Sequence, residues 1–552
     1  MKRIIYSLLA ASTLCFATSC ELDLLENPNA VTASTASPDF LLNSIQLDYK
    51  DFYNDVSNDG MQLTRMINQG SAQYESSYTV SSTNIYWSNS YANILADIKF
   101  LEPLAEEANY QRHLGIAKTI KALVLFHLVD SYGDVPFVEA LDPLNYFPKV
   151  DSGASVYEEA FKALNEASVH FTATTLSGTT PLNDYFYARN YTKWIRLVNT
   201  MKLRYYLNLK LVDPAGSKTA INALVAEGNL LKEGDDFAFK FGTNSADPDA
   251  RHPGYAGSYT SGGGTYHSTF YMWHMTEAKG FDDPRSRFYW YRQVTANPKD
   301  PALIECLTII APPQYLVRNF VYCLPGDRGY WGRDHLDPDG VPPDGLLRTV
   351  WGLYPAGGRF DNDSATPVNN PTLGAQGAGL FPIMLSSYVD FMLAEAALTL
   401  NDDPAMAKTY MLSGIRKHMN YVINFGNSSQ ESGTIATFLK DQSIELDKEV
   451  NDYVAYVDAE YDMMPAGKKM YVIGREYWLS LFGNGVEALN LYKRTGQPAG
   501  MQPGLEPEAG LFPRTFLYPN NYMVTNINAV QKPNLSVQVF WDKNPAGNDW
   551  IY

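Results

Sequence analysis

"IGREYWLSLFGNGVEALNLYKR", residues 473–494, supports two readings that lead to different folds. Its centre, "GNGVEA" at 483–488, matches the dinucleotide pattern G-x-G-x-x-A, which would point to an α/β protein. That pattern holds pyrophosphate only where a strand leads in and a helix leads out, so that the helix start faces the phosphates. Here the residues before Gly483 already recur with helical spacing. The stretch therefore reads as a helix, a break at Gly483-Asn484-Gly485, and a second helix.

The same spacing recurs elsewhere. Trp87, Tyr91, Ile94, Ile98 and Leu101 follow steps of three and four, and "GIAKTIKALVLFHLVDSYGDVPF" (115–137) adds a buried-helix pattern ended by Gly133 and Pro136. Tyr157, Phe161, Leu164 and Phe171 mark a further helix, and Trp194, Val198, Met201 and Tyr205 the one returning beside it. "SSYVDFMLAEAALTL" (386–400) and "PAMAKTYMLSGIRKHMNYV" (404–422) make another pair, with Asp402 and Pro404 as a start signal. Four helix pairs predict a mostly α fold stacked in the tetratricopeptide manner. The long interval between the second and third pairs excludes a simple 34-residue repeat.

That interval, 236–383, is turn-rich: "HPGYAGSYTSGGGTYHSTFYMW" (252–273), "HLDPDGVPPDG" (335–345) and "YPAGGRFDNDSATPVNNPTLGAQGAGLF" (354–381). Loops this long in a compact domain are functional or disordered, and the density of Tyr and Trp argues against disorder. The chain thus divides into a helical scaffold at 39–235 and 384–495, a loop-rich insert at 236–383, and an irregular C-terminal wrap at 496–552, all in one domain. With 38 Tyr, 26 Phe and 9 Trp, many among Gly, Pro, Asn and Asp, the composition suits a surface for flat or amphipathic ligands. Trp87, Trp194 and Trp478 lie on periodic helical faces and belong to the core. The rings that remain are Tyr74 and Tyr78 in "GSAQYESSYTVSS", Tyr259 and Tyr266 around "SGGG", Trp273 beyond it, and the favoured pair Tyr330 and Trp331, with Arg333 and Asp334 close enough to bond hydroxyls.

A net charge of −17 over 552 residues, with no basic run, excludes nucleic acid as a natural partner. Lys2 and Arg3, the apolar run "IIYSLLAASTLCFA" and the small residues Ala17, Thr18 and Ser19 make residues 1–19 a secretory signal. The apolar run falls short of the ~20 residues that span a bilayer. Cys20 at its end resembles the cysteine of a bacterial lipobox, and Glu21 and Asp23 resemble a surface-export tag. That resemblance implies an acylated Cys20 as the mature N-terminus, with residues 20–38 as its tether to outer-membrane lipid. Cys306 and Cys323 then form an even pair in an oxidising compartment. Pro312-Pro313 between them can reverse the chain into a hairpin, which makes a disulfide the expectation and two buried thiols the alternative.

No H-E-x-x-H, zinc-spaced cysteine cluster, G-x-S-x-G elbow or Walker A loop occurs. "DPDG" (337–340) and "DNDS" (361–364) carry calcium-type oxygens but lack the rest of an EF-hand, and read as solvated turns. Glu395 sits on the apolar face of its helix, where a carboxylate needs partners; it reads as a structural residue satisfying donors. His127 reads as a hydrogen-bonded core residue.

In order along nearly the whole chain, the lipobox, "DVPFVEAL", "RNYTKWIRLVNTMKLRYYL", "FDDPRSRFY", "LSSYVDFMLAEAAL" and "REYWLSLFGNGVEALNLYKRTGQP" resemble the SusD/RagB family of nutrient-binding outer-membrane lipoproteins, on a divergent branch. The resemblance implies a SusD-like fold with four tetratricopeptide-like helix pairs and a variable ligand face. It further implies a cell-surface location and a SusC-like TonB-dependent transporter as partner. The ligand it implies is an oligosaccharide, with a peptide or other nutrient as the alternative. No cofactor, metal or catalytic residue is called for, a surface glycoside hydrolase and a purely structural helical-repeat scaffold being the remaining alternatives.

Overall fold

A computed structural model describes residues 37–175, 182–260, 264–323, 325–338 and 344–545. The signal, Cys20 and nearly all of the tether lie outside them. The scaffold runs through α1 (Pro38–Leu63), α2 (Ala96–Glu107), α3 (Gln111–Tyr132), α4 (Gly153–Thr172), α5 (Tyr191–Asn208) and α6 (Pro214–Glu227). The insert contributes β1 (Phe237–Lys240), β2 (Trp290–Tyr291), β3 (Val350–Trp351) and β4 (Leu380–Met384). The scaffold resumes with α7 (Ser386–Thr399), α8 (Pro404–Asn427), α9 (Ser432–Asp441), α10 (Leu446–Met463), α11 (Lys469–Ser480) and α12 (Gly485–Thr495). Among the described residues no helix is long and apolar enough to cross a membrane.

Helix α3 is buried almost all round and forms the centre of the first half, against α4, α2 and α1. It stops at Gly133, whose φ of +79° suits glycine. His127 lies inside it, its Nε2 3.4 Å from the Tyr49 hydroxyl, and burial holds its pKa down to about 3. Helix α8 begins at Pro404, where the sequence places it, but its cap is Asp403 rather than Asp402: the Asp403 carboxylate accepts the Met406 N–H at 2.9 Å. Helix α7 packs along α8.

The two halves of the scaffold are tied by a buried polar network. Arg204 of α5 bonds Asp130 of α3 at 2.7 Å and also Glu487 of α12. Glu395 of α7 accepts from Arg494 of α12 at 2.6 and 2.8 Å, with Lys210 at 2.8 Å. Asn208 connects the two clusters, accepting from Arg494 and donating to Tyr157. Burial alone would raise the Glu395 carboxyl, but the two cations hold it down to about 2. Its role is structural, and removing one partner of such a buried set costs about 3–5 kcal/mol.

The break between α11 and α12 joins the insert to the scaffold. The Asn484 side chain accepts the Glu487 N–H at 3.0 Å and so caps α12, and its amide donates to the carbonyls of Pro382 and Ile383. Just before it, Phe482 enters the insert, stacked 4.5 Å from Tyr289 and within 6 Å of His267, Tyr271, Trp290 and Trp351. A helix leads into this loop, so the nucleotide reading of "GNGVEA" has no structural basis.

The insert leaves and rejoins the scaffold at one place. β1 and β4 pair antiparallel, with Lys240 opposite Leu380, Phe239 opposite Phe381 and Ala238 opposite Pro382. Within the insert β2 and β3 pair Trp290 with Trp351. The C-terminal residues lie against α3, where Trp541 donates to Asp130 at 3.0 Å, Tyr518 to the Asp134 carbonyl at 2.7 Å and Lys532 to the Tyr132 carbonyl at 2.8 Å.

Candidate ligand-binding site

Several residues expected at the ligand surface do come together. Ile67 bridges His267, Ser268 bridges Arg333, and the Asn68 N–H donates to the Tyr266 carbonyl at 2.8 Å. This brings Tyr74, Tyr78, Tyr266, Trp331, Arg333 and Asp334 to one region of irregular chain. Most of it is closed. Tyr74 is buried, its hydroxyl 2.9 Å from His335 Nε2 and accepting from Arg65. Tyr78 is buried on Phe516 and donates to Gln62. Asp334 accepts from the Cys323 N–H at 2.8 Å and the Gln502 amide at 2.6 Å; burial outweighs both donors and pushes its pKa up to about 7.

The favoured pair requires correction. Trp331 is fully buried, with its indole N–H on the Leu347 carbonyl at 2.9 Å. Tyr330 donates to Asp361 at 3.0 Å beneath the Arg292 guanidinium, 4.5 Å from the ring. Neither offers an open face for stacking. Tyr259 is likewise closed, stacked 4.4 Å from Tyr255, donating to the Trp351 carbonyl and accepting from the Arg359 N–H. The physical reason is common to all of them. Loops without a periodic apolar face still need a core, and here rings supply it while their hydroxyls satisfy loop backbone and side chains. Tyr266 and Trp273 keep partial exposure. Tyr266, however, has Arg348 at 4.0 Å and Arg333 at 4.6 Å from its ring, and donates to Asp344 at 2.6 Å.

Cys306 and Cys323 are bonded, with Cα atoms 5.6 Å apart. The loop they close is not the hairpin expected. Pro313 opens a short helical turn, Pro313–Leu316, because its fixed φ suits a first helical position. Tyr315 and Gln314 fasten the loop to the Pro503 and Leu505 carbonyls at 2.9 and 2.8 Å. In "DNDS", Asp361 and Asp363 accept from Arg292 and Arg287, so these oxygens are already engaged. Among the described residues no group of three or more His, Cys, Asp or Glu is placed to hold a metal.

Open rings occur elsewhere, in a cleft of about 570 Å³ between residues 281–288, Phe360, α9 and α10. The segment "FDDPRSRF" forms one wall of the cleft. Asp283 and Arg285 turn inward as a buried bidentate pair, in which burial would raise the Asp283 carboxyl but Arg285 holds it below the ordinary range. Phe281, Asp282 and Arg287 line the cleft. From α10, Glu449, Asp452 and Tyr456 approach with i, i+3, i+7 spacing, which places them on one face. Phe281 and Tyr456, 36% and 38% exposed, meet edge to face at 5.1 Å. The floor is Phe288, Phe360 and Phe438 in edge-to-face contact, continued by Leu439, Ile444 and Leu446.

Polar groups around the cleft differ in how far they are used. Asp282 is held by Arg328 at 2.7 Å and Asp452 by Lys448 at 2.5 Å. Arg287 lies 4.7 Å from the Phe438 ring, and its Nη1 donates to Asp363 at 2.9 Å and to the Asp361 carbonyl at 3.1 Å. Among the described residues nothing hydrogen-bonds the Glu449 carboxylate, whose pKa desolvation raises. Sequence reasoning missed this site. The available signal was a second stripe on α10, Leu446, Glu449, Asp452 and Tyr456, beside the buried stripe Val450, Tyr453, Val457 and Tyr461.

Residues 28–301 match a SusD-like family model described as starch-binding and associating with the outer membrane. Solved structures share the fold over 92% of this chain. They include a chitin-binding protein (21% identity, all of that chain, TM-score 0.66) and a SusD/RagB family protein of Bacteroides thetaiotaomicron (16%, all of that chain, 0.62). A chitin-binding SusD homologue of Flavobacterium johnsoniae is similar too (15%, 99% of that chain, 0.60). No curated protein matches the chain. The mostly α architecture, the family model and these neighbours agree: the chain belongs to the SusD-like family. Membership makes it a nutrient- or glycan-binding protein associated with the outer membrane.

Proposed function

We propose that the protein is anchored to the outer face of the outer membrane through acylated Cys20, binds an oligosaccharide in the cleft beneath Phe281 and Tyr456, and passes it to a SusC-like TonB-dependent transporter. The observation that carries the ligand site is the pairing of open rings with an unengaged carboxylate. A pyranose presents an apolar face that stacks on a ring and equatorial hydroxyls that a carboxylate accepts. The volume lies in the range of ligand pockets. Two of the solved relatives are described as chitin-binding, which supports a glycan over a peptide. Capture and hand-over need no covalent chemistry.

An exposed apolar patch suits a protein partner. Val138, Leu144, Tyr146, Val524, Ile527 and Val530 are strongly exposed. Their two segments are joined where Asn526 and Asn528 donate to the Pro148 and Phe147 carbonyls at 2.7 and 2.6 Å. Exposed apolar patches of this kind mark interaction sites.

Calorimetry against a glycan panel tests the ligand: binding of one glycan, lost in Tyr456→Ala, supports the cleft, and binding of peptides alone would refute it. Labelling with a palmitate analogue should disappear in Cys20→Ala. Co-purification with the transporter should fail in an Ile527→Asp, Tyr146→Asp double variant.

A further inference from the structure

We infer that the glycan taken by the cleft carries N-acetylated amino sugars; this rests on the cleft being the ligand site. The cleft is divided in a way that a plain hexose does not match. Its floor of Phe360, Phe438, Leu439, Ile444 and Leu446 is without side-chain hydrogen-bonding groups. A sugar hydroxyl pressed against it would lose water without gaining a partner. A methyl group would lose nothing polar there.

An acetamido group offers three features in a fixed relation: a methyl, a carbonyl oxygen that accepts, and an N–H that donates. The cleft offers a counterpart to each. The aliphatic floor seats the methyl. Arg287, whose hydrogen bonds among the described residues all use Nη1, keeps Nη2 as a donor for the carbonyl. Glu449 is an acceptor for the N–H, with no hydrogen bond to it among the described residues. The ring of the same sugar then lies against Phe281 and Tyr456 at the mouth. A deoxy sugar supplies the methyl and leaves Arg287 unmatched. A free amino sugar keeps a donor for Glu449 but has neither methyl nor carbonyl, so the floor and Arg287 are both left unmatched.

Calorimetry on the full chain in detergent distinguishes these with three β-1,4-linked trimers, of N-acetylglucosamine, of glucosamine and of glucose. The acetylated trimer should bind at least about tenfold more tightly than either of the others, the discrimination a methyl in an apolar pocket supplies. Glu449→Gln and Tyr456→Ala should each weaken it by about tenfold or more at unchanged melting temperature. Ile444→Ser should bring the preference over the glucose trimer toward one. Equal or tighter binding of the glucose or glucosamine trimer overturns the inference while leaving the cleft as a glycan site. Acetylated-trimer binding that ignores the cleft variants overturns both the inference and the location of the site. Failure of every glycan in a wider panel removes the glycan function itself.

Discussion

The region around Tyr266 and the region around Tyr456 are made of the same materials. Each combines an aromatic ring with arginine and carboxylates on irregular chain or its borders. At Tyr266 the groups are engaged with one another: two guanidinium groups lie on the ring, and Asp344 accepts a hydrogen bond from its hydroxyl. At Tyr456 the ring contacts another ring at its edge, and Glu449 beside it has no hydrogen bond among the described residues. Composition is therefore a poor guide to a ligand site. What separates the two is whether the polar groups have been matched within the chain, and that is decided by packing.

Four measurements can break or sharpen this contrast. The largest effect should come from Trp331→Ala, which empties the space of a fully buried indole and leaves the Leu347 carbonyl without its donor. A loss of about 3–5 kcal/mol in denaturant unfolding is expected, the usual range for such truncations. Ligand affinity of the folded fraction should not change. A stable variant with weakened binding would move the ligand site back to Trp331.

Next in size is replacing Cys306 and Cys323 together by Ser. Opening a loop of this length is worth about 3 kcal/mol in the chain-entropy model, read as a fall in Tm. The cleft should keep its affinity, since the loop is fastened to residues 503–505 and not to α10. Tyr456→Ala reverses the pattern: about 2 kcal/mol of binding energy, roughly thirtyfold in Kd, at nearly constant Tm. A drop in Tm of the size expected for Trp331→Ala would reclassify the ring as core.

The smallest effect is in pH. An unfolded aspartate titrates near pH 4, whereas burial holds folded Asp334 up at about 7. Between those values the folded protein retains a proton that the unfolded chain releases. Its contribution to stability is therefore complete below pH 4 and declines as pH rises to 7. Asp334→Asn should flatten that part of the Tm profile. An unchanged slope would show that the carboxyl is ionised in the folded protein.

These contrasts also explain what could be read from residues alone. Helices such as α4 and α5 were legible because each buries a single stripe, Val156, Tyr157, Ala160, Leu164 and Phe171 in α4, and leaves the rest polar. Helix α1 was not, although Leu42, Ile45, Tyr49, Phe52 and Val56 are all buried. Asp48, Asp51, Asp55 and Asp59 interrupt its pattern, and much of its buried face is met by distant α12. The loop rings were located correctly as rings, but their partners were not visible. Tyr330 is satisfied by Asp361 and Arg292, both more than thirty residues away. The cleft draws on residues from 281 to 456, and no local pattern announces that these meet.

The pairing of Lys240 with Leu380 has a consequence for how such a protein can diverge. Because the insert departs and returns through adjacent strands, the helical frame meets it as a cassette with neighbouring ends. Its length is then nearly free: doubling a flexible connection adds only about 0.6 kcal/mol of closure entropy. Besides those ends, the frame asks that the replacement offer an aromatic socket for Phe482 and partners for Ile67, Asn68, Ser480 and Gln502. Exchange of the whole cassette can thus give the frame a new outer face without disturbing the buried network of Glu395 and Arg204.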